Sequence, residues 1–329
     1  MKKRSLIAIL AVAGIALTVW LLPGCKPGTP APANQIQIGI LKHESSLPFY
    51  VAEEAGIFEK HGLKAKLVEL PPGDHLPALL ADRVDIISPT SFPTLFGVMV
   101  QHSNLLYVVF PGAEVTDKET VYGLIVRSNS TAQTIRDIHS GVLMAINPYT
   151  KVNIQMILSA AGIPTQNWPE VRVASRELAL QAVSDGTANA AIMDQPALAV
   201  ALTEGGFRLL ESNPRAKYVG SPYWSGSGAV KRDIWGSRKD EFDRLFAAID
   251  ESVTLIRKDS RKAHQILATR LGLPPVVADQ CGGYYFPLTN EQVDKLGIQK
   301  TIDALRSAKL LEGSLSLDTL FPPGLYGQQ

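Results

Sequence analysis

The side chains best suited to chemistry are few and widely spaced along this chain of 329 residues. Its six histidines, at 43, 61, 75, 102, 139 and 264, include no H-x-x-x-H pair, so no helical face offers two imidazoles to zinc. His43-Glu44 lacks the following histidine of a zincin. Ser225-Gly226-Ser227-Gly228-Ala229 is glycine-rich but is not the G-x-S-x-G turn that exposes a nucleophilic serine, and no P-loop is present. Two cysteines, Cys25 and Cys281, exclude a disulfide framework or a cysteine-rich zinc site. Cys281, ahead of Gly282-Gly283, reads as a buried structural thiol, with a reactive thiol as the alternative. No metal or cofactor is expected. The chemistry that remains is recognition by hydroxyls, amides and aromatic rings.

Hydrophobic residues make up 46% of the chain and charged ones 19%, enough apolar material for a sizeable core. Lys+Arg 32 against Asp+Glu 31 gives a net charge of +1, so no basic field argues for nucleic acid. The charge is not evenly spread. Lys2, Lys3 and Arg4 precede an uncharged apolar run from Leu6 to Leu22, the arrangement of a secretory signal. Leu22-Pro23-Gly24-Cys25 resembles a bacterial lipobox, which implies a signal peptide over 1–24 and a lipid on Cys25. An uncleaved membrane anchor is the alternative. Without those three cations the chain carries 29 basic against 31 acidic residues, a net of −2. The Pro-rich segment 25–35 reads as a semi-rigid tether.

The elements that must position a site follow from periodicity. Ile36–Leu41, Ala65–Leu70 and Val84–Ile87 read as strands, with helices over Leu47–Phe58 and Leu76–Ala81 between them. The same grammar returns with strands at Val142–Ile146, Val171–Val173 and Ala190–Met193 and helices at Lys151–Ala161 and Glu177–Val183. Strand–helix alternation of this kind predicts mostly parallel sheets, here in two similar α/β lobes. Asp240–Arg257, Ser260–Leu271 and Asn290–Ala308 read as amphipathic helices that pack back on the first lobe.

Leu47-Pro48-Phe49-Tyr50-Val51-Ala52-Glu53-Glu54-Ala55-Gly56-Ile57-Phe58, continuing to Gly62-Leu63, resembles the first-helix motif of periplasmic solute-binding proteins of the nitrate/sulfonate/taurine and thiamine-precursor family. Asp85-Ile86-Ile87, Ile157-Leu158-Ser159-Ala160-Ala161-Gly162-Ile163 and Ala190-Ala191-Ile192-Met193-Asp194-Gln195-Pro196 are similar to later steps of that family, with Asp82 and Gln195 departing from its usual Gly and acid. The resemblance covers residues 36–210 well and the C-terminal helices loosely. It implies an α/β periplasmic-binding-protein type II fold, with lobe I at 36–122 and 222–329 and lobe II at 123–221. It also implies two crossing segments, ligand in the cleft, and delivery to an ABC permease with its ATPase. The implied protein is an exported monomer, lipid-anchored to the outer face of the cell membrane or in the periplasm.

Open α/β sheets bind ligands beyond their strand C-termini, where helix N-termini offer unpaired N–H groups. From the first lobe this names Ser45, Ser46 and Phe49, with Ser88, Thr90 and Ser91 after the Val84–Ile87 strand. From the second it names Tyr149, Thr150, Lys151, Asn153 and Asp194. The crossing segments add Thr120, Tyr122, Tyr223 and Trp224. Ser45, Ser46, Thr90 and Ser91 read equally as helix caps, and Tyr149 and Trp224 as packing. Lys42, Lys118 and Lys151 are the cations of these loops, with no arginine fork, which leans toward a neutral, zwitterionic or heteroaromatic nutrient over a simple oxyanion, with a sulfonate-like anion held by helix N-termini as the alternative. An enzyme on the same fold, akin to a pyrimidine synthase, and a ligand-sensing lipoprotein are the alternatives to a non-enzymatic transporter subunit.

Overall fold

Residues 35–327 are described by the computed structural model. The expected signal peptide, Cys25 and all but the last residue of the tether therefore lie outside the described residues. The first sheet holds β1 (Gln35–Ile40), β2 (Lys64–Glu69), β3 (Ile86–Ser91) and β4 (Leu106–Val115). The second holds β5 (Tyr122–Arg127), β6 (Val142–Ala145), β7 (Glu170–Val173), β8 (Ala190–Asp194) and β9 (Phe207–Ser212). The chain then returns, and β10 (Tyr223–Lys231) completes the first sheet in the order β2-β1-β3-β10-β4. The second sheet runs β7-β6-β8-β5-β9.

Both sheets are mixed in the same way. β1 is parallel to β2 and β3, while β10 is antiparallel to β3 and β4. In the second sheet β6 is parallel to β7 and β8, while β5 is antiparallel to β8 and β9. Each sheet therefore has one reversed strand, and it is the strand that follows a crossing. Segments 116–121 and 219–222 carry the chain from one sheet to the other.

Local chemistry explains most boundaries. β2 is an edge strand whose exposed Lys64, Lys66 and Glu69 blunt pairing with another chain. The expected helix over Leu47–Phe58 is two, Leu47–Glu54 and Ile57–Lys60, because Gly56 takes a left-handed φ of 65° between them. β3 extends through Pro89 to Ser91, so Ser88, Thr90 and Ser91 belong to a strand and not to the loop expected there. β4, β5, β9 and β10 are the strands that periodicity missed. A Cβ on Gly226 would lie 2.5 Å from Thr90 O, and one on Gly228 2.9 Å from Phe110 O, so only glycine lets β10 pass between β3 and β4 at its bulges.

The helix Lys239–Lys258 buries Phe242, Leu245, Phe246, Ile249 and Val253 along one stripe, and it packs with Ser260–Leu271 on Leu47–Glu54 of the first half. The last long helix starts only at Lys295, where the Asp294 carboxylate accepts the Gly297 N–H at 2.9 Å. That helix, Lys295–Ser307, touches both β10 and the helix Pro148–Ala160. Among the described residues no helix is long and apolar enough to cross a membrane.

Candidate functional site

Arg215 is the centre of the arrangement, and the expectations from sequence did not include it. Asn213, just after β9, is in the left-handed region at φ 43°, and its Oδ1 accepts the Val121 N–H at 3.0 Å, tying one crossing segment down. The chain then turns through Pro214 into the short helix Pro214–Tyr218. Arg215 sits in its first turn, only 4% exposed. Its guanidinium carbon lies 3.9 Å from the Tyr122 ring centroid, 5.1 Å from that of Tyr223 and 5.8 Å from that of Tyr149. Its Nη1 donates to the Tyr149 hydroxyl at 2.5 Å, and its backbone N–H donates to the Tyr122 hydroxyl at 2.7 Å.

No carboxylate pairs with this guanidinium among the described residues. Burial opposes its charge, and the oxygens of Tyr122, Tyr149, Tyr223 and Tyr284 outweigh that, so it stays a cation. The same surroundings keep the tyrosines neutral, with burial pushing Tyr122 up to about 12 and Tyr223 well above its ordinary value. A desolvated cation held by neutral rings is a ready anion site. The expectation that the site lacks an arginine is thus corrected. The rings come from both sheets, Tyr122 from β5, Tyr149 from the helix Pro148–Ala160 and Tyr223 from β10.

A second group of polar atoms adjoins the first. Glu44 is fully buried, and its Oε2 accepts the Gly282 N–H at 2.7 Å while Oε1 has no partner. Burial is the main reason its carboxyl is pushed up to about 8. The Gly282 bond opposes the rise and nearby Asp194, at the end of β8, adds to it. His43 accepts from Ser45 at Nδ1, from Oγ at 2.7 Å and from the backbone N–H at 3.2 Å, so its proton sits on Nε2. Burial also holds His43 below its ordinary value, Asp194 working the other way. Segment 280–285 lies across the two halves. Gln280 O accepts from Gln195 Nε2 at 3.1 Å, and Tyr285 bridges to Glu114 of β4. The Tyr284 ring meets His43 edge-on, with centroids 6.1 Å apart.

Of the residues expected to bind ligand, Tyr122, Tyr149 and Tyr223 meet at Arg215, and Asp194 faces His43 and Glu44. Asn153, one turn beyond Tyr149, is buried with Oδ1 unpartnered, and the Tyr223 hydroxyl is likewise unpartnered. Ser45 is engaged with His43, and Ser46 donates to Leu41 O at 2.7 Å. Thr90 Oγ1 meets His75 Nδ1 at 3.0 Å, Ser91 caps the helix Phe92–Gln101, and Thr150 bonds Asn147 Oδ1 as a capping partner. Ser88 is buried with Oγ unpartnered, and Thr120 Oγ1 meets Ser212 Oγ at 2.9 Å.

Two expectations are corrected by packing. Trp224 is fully buried, stacked on Phe92 at 5.8 Å and met edge-on by Phe321 and Tyr326, so its ring fills the core of the first half. Phe49 is fully buried in that core as well. Lys151 is half-buried, and Arg172 chiefly and Lys151 slightly hold the Glu170 carboxyl below its usual range. Cys281 is buried, its thiol donates to Val277 O at 3.3 Å, and burial pushes it up to about 12, which fits a structural thiol. Among the described residues no group of three His, Cys, Asp or Glu side chains is placed to hold a metal.

This architecture is shared with solved proteins. The aliphatic sulphonate binding protein SsuA of Escherichia coli superposes with a TM-score of 0.71 at 21% identity, covering 91% of this chain and 96% of that one. The alkanesulfonate-binding protein SsuA of Xanthomonas axonopodis, bound to MOPS, gives 0.66 at 19% identity, covering 86% and 96%. The desulfurization enzyme DSZB gives 0.65 at 12% identity, covering 88% and 96%. At these identities the likeness is one of fold, that of the periplasmic binding proteins. No curated protein matches the sequence. Residues 43–252 match the family described as NMT1/THI5 like, and the chain belongs to that family.

Proposed function

We propose that this chain is the solute-capturing subunit of an ABC importer and takes a small organic anion of the sulfonate type between its two sheets. One observation carries the reading. Arg215 is a buried guanidinium without a carboxylate partner among the described residues, ringed by tyrosines from both sheets, which suits it to a ligand's acidic group. A ligand so held touches both halves, and segments 116–121 and 219–222 act as the hinge of an open–closed equilibrium that it shifts. In this reading 1–24 is a signal peptide, Cys25 carries a lipid at the outer face of the membrane, and the monomer hands its ligand to a permease driven by an ATPase. The lobes run 36–122 with 222–329, and 123–221.

The fold of a desulfurization enzyme supplies the competing reading. Cys281, buried and with its thiol pushed up to about 12, is poorly suited to nucleophilic catalysis, which favours capture over turnover. The test is a thermal-shift screen of the purified protein with alkanesulfonates, taurine, nitrate, riboflavin and thiamine precursors. A ligand at 100 times its Kd stabilises by about 2.7 kcal/mol. The reading expects sulfonates to raise Tm without being consumed. Turnover of a sulfonate, or no shift with any of them, overturns it.

A further inference from the structure

Arg215 accounts for one end of a ligand and leaves the other unassigned. Three features bear on that end. Glu44 Oε1 is a fully buried oxygen with no partner, whereas its sister Oε2 accepts the Gly282 N–H at 2.7 Å. A buried polar atom left without a partner is costly, so a bound solute that satisfies it gains accordingly. Glu44 and Arg215 also share a neighbour: both act electrostatically on the Tyr284 hydroxyl, and the Tyr284 ring meets His43, next to Glu44 in the chain, edge-on at 6.1 Å. Finally, the groups around Glu44 do not favour a second negative charge. They are the Asp194 carboxylate from β8, the Cys281 thiol and Tyr284 of segment 280–285, and neutral His43 beside it.

We propose that Glu44 is the second recognition pole of the site, a neutral carboxylic acid that donates a hydrogen bond from Oε1, so that the preferred solute is an organic monoanion with an uncharged hydrogen-bond acceptor at the end away from its acidic group. The inference rests on the proposed function, since it takes Arg215 as the anion pole. With Oε2 occupied by an N–H, the proton resides on Oε1, where it meets a hydroxyl, ether or carbonyl oxygen of the ligand.

The probes are matched series of ethane- and propane-sulfonates whose far end is a methyl, a hydroxyl, a methyl ether or an ammonium, titrated calorimetrically into the wild-type protein, Glu44→Gln, Glu44→Ala and Arg215→Met. At pH 7 the hydroxyl member is expected to bind about tenfold tighter than the methyl member, the size of one buried hydrogen bond. The Glu44 carboxyl, held at about 8, is protonated at pH 7 and largely ionised at pH 9. Wild-type affinity for a member ending in a methyl ether, which accepts but cannot donate, should therefore fall about tenfold between those pH values. Glu44→Gln keeps a donor and removes the titration, so it should retain the preference and lose the pH dependence. Glu44→Ala should lose both.

Tightest binding of the ammonium member overturns the proposal, as does a pH dependence that survives in Glu44→Gln. If the sulfonates bind and Arg215→Met abolishes binding while no Glu44 variant alters the preference, the anion site stands and only the second pole fails. If no sulfonate binds the wild-type protein, both readings fall together.

Discussion

The guanidinium of Arg215 lies 3.9 Å from the centre of the Tyr122 ring, and the Tyr122 hydroxyl accepts the backbone N–H of the same arginine at 2.7 Å. One tyrosine at the start of β5 thereby fixes both the helix turn that carries the cation and the cation itself. The chain has just crossed between the sheets at this tyrosine, and Asn213 ties down the same stretch from β9. In the proposed function, anion recognition and the hinge are therefore built from the same few residues.

Replacing Arg215 by methionine removes a buried charge and leaves a side chain of similar length among aromatic rings. Swaps of this kind are often neutral or stabilising. Chemical denaturation should give a ligand-free midpoint equal to or above wild type. Arg215→Lys should bind anions worse than wild type, because an ammonium neither stacks on Tyr122 nor presents a planar fork. An unfolding free energy lowered by several kcal/mol in Arg215→Met would make Arg215 a structural residue.

Trp224 belongs to the core and not to the ligand. Trp224→Ala should cost about 3–5 kcal/mol by urea denaturation, through loss of the stack on Phe92 and the contacts with Phe321 and Tyr326. The order of affinities among ligands should stay as in wild type. A changed order with unchanged stability would return the indole to the binding site.

Glu44 also sets a pH dependence of stability. Its carboxyl ionises near 4.5 when unfolded and is held to about 8 when folded. Between those values the folded chain binds more protons, so this contribution to stability is full below about 4.5 and is lost as pH rises toward 8. Glutamine at this position does not titrate. The stability of Glu44→Gln relative to wild type should therefore climb from pH 5 to pH 8 and then level off, by roughly 2–4 kcal/mol. A difference that stays flat from pH 5 to pH 9 would show that the carboxyl is ionised throughout.

Cys281 should resist modification in the native state. A thiol that donates to Val277 O and is pushed up to about 12 offers almost no thiolate at pH 8. A disulfide reagent should label it only after denaturation. Rapid labelling of the native protein would reopen a chemical role.

The alternating strands and amphipathic helices were legible because their apolar residues recur at the period of the element. β1, β2, β6 and the long helices near 239–271 fall within one or two residues of where that period puts them. β10 was not legible. Its Ser225–Ala229 core has glycines where a strand ordinarily has branched side chains, and the reason is a close approach to Thr90 and Phe110 that only the sheet reveals. Arg215 was hidden for another reason. Glu211-Ser212-Asn213-Pro214-Arg215 reads as a polar turn, and nothing local says that Tyr122, Tyr149 and Tyr223, distant in sequence, close over it. Trp224 was placed on the wrong side because neighbouring residues of a strand point to opposite faces, and Tyr223 took the face toward Arg215.

The most direct test of the account is the affinity of propane-1-sulfonate for the wild-type protein and for Arg215→Met, measured by calorimetry at pH 7 with both proteins folded. Removing one partner of a buried charged contact costs about 2–5 kcal/mol, so the account predicts a loss of at least about 30-fold. Equal affinity in the two proteins would contradict it, because the anion would then be held somewhere other than at Arg215.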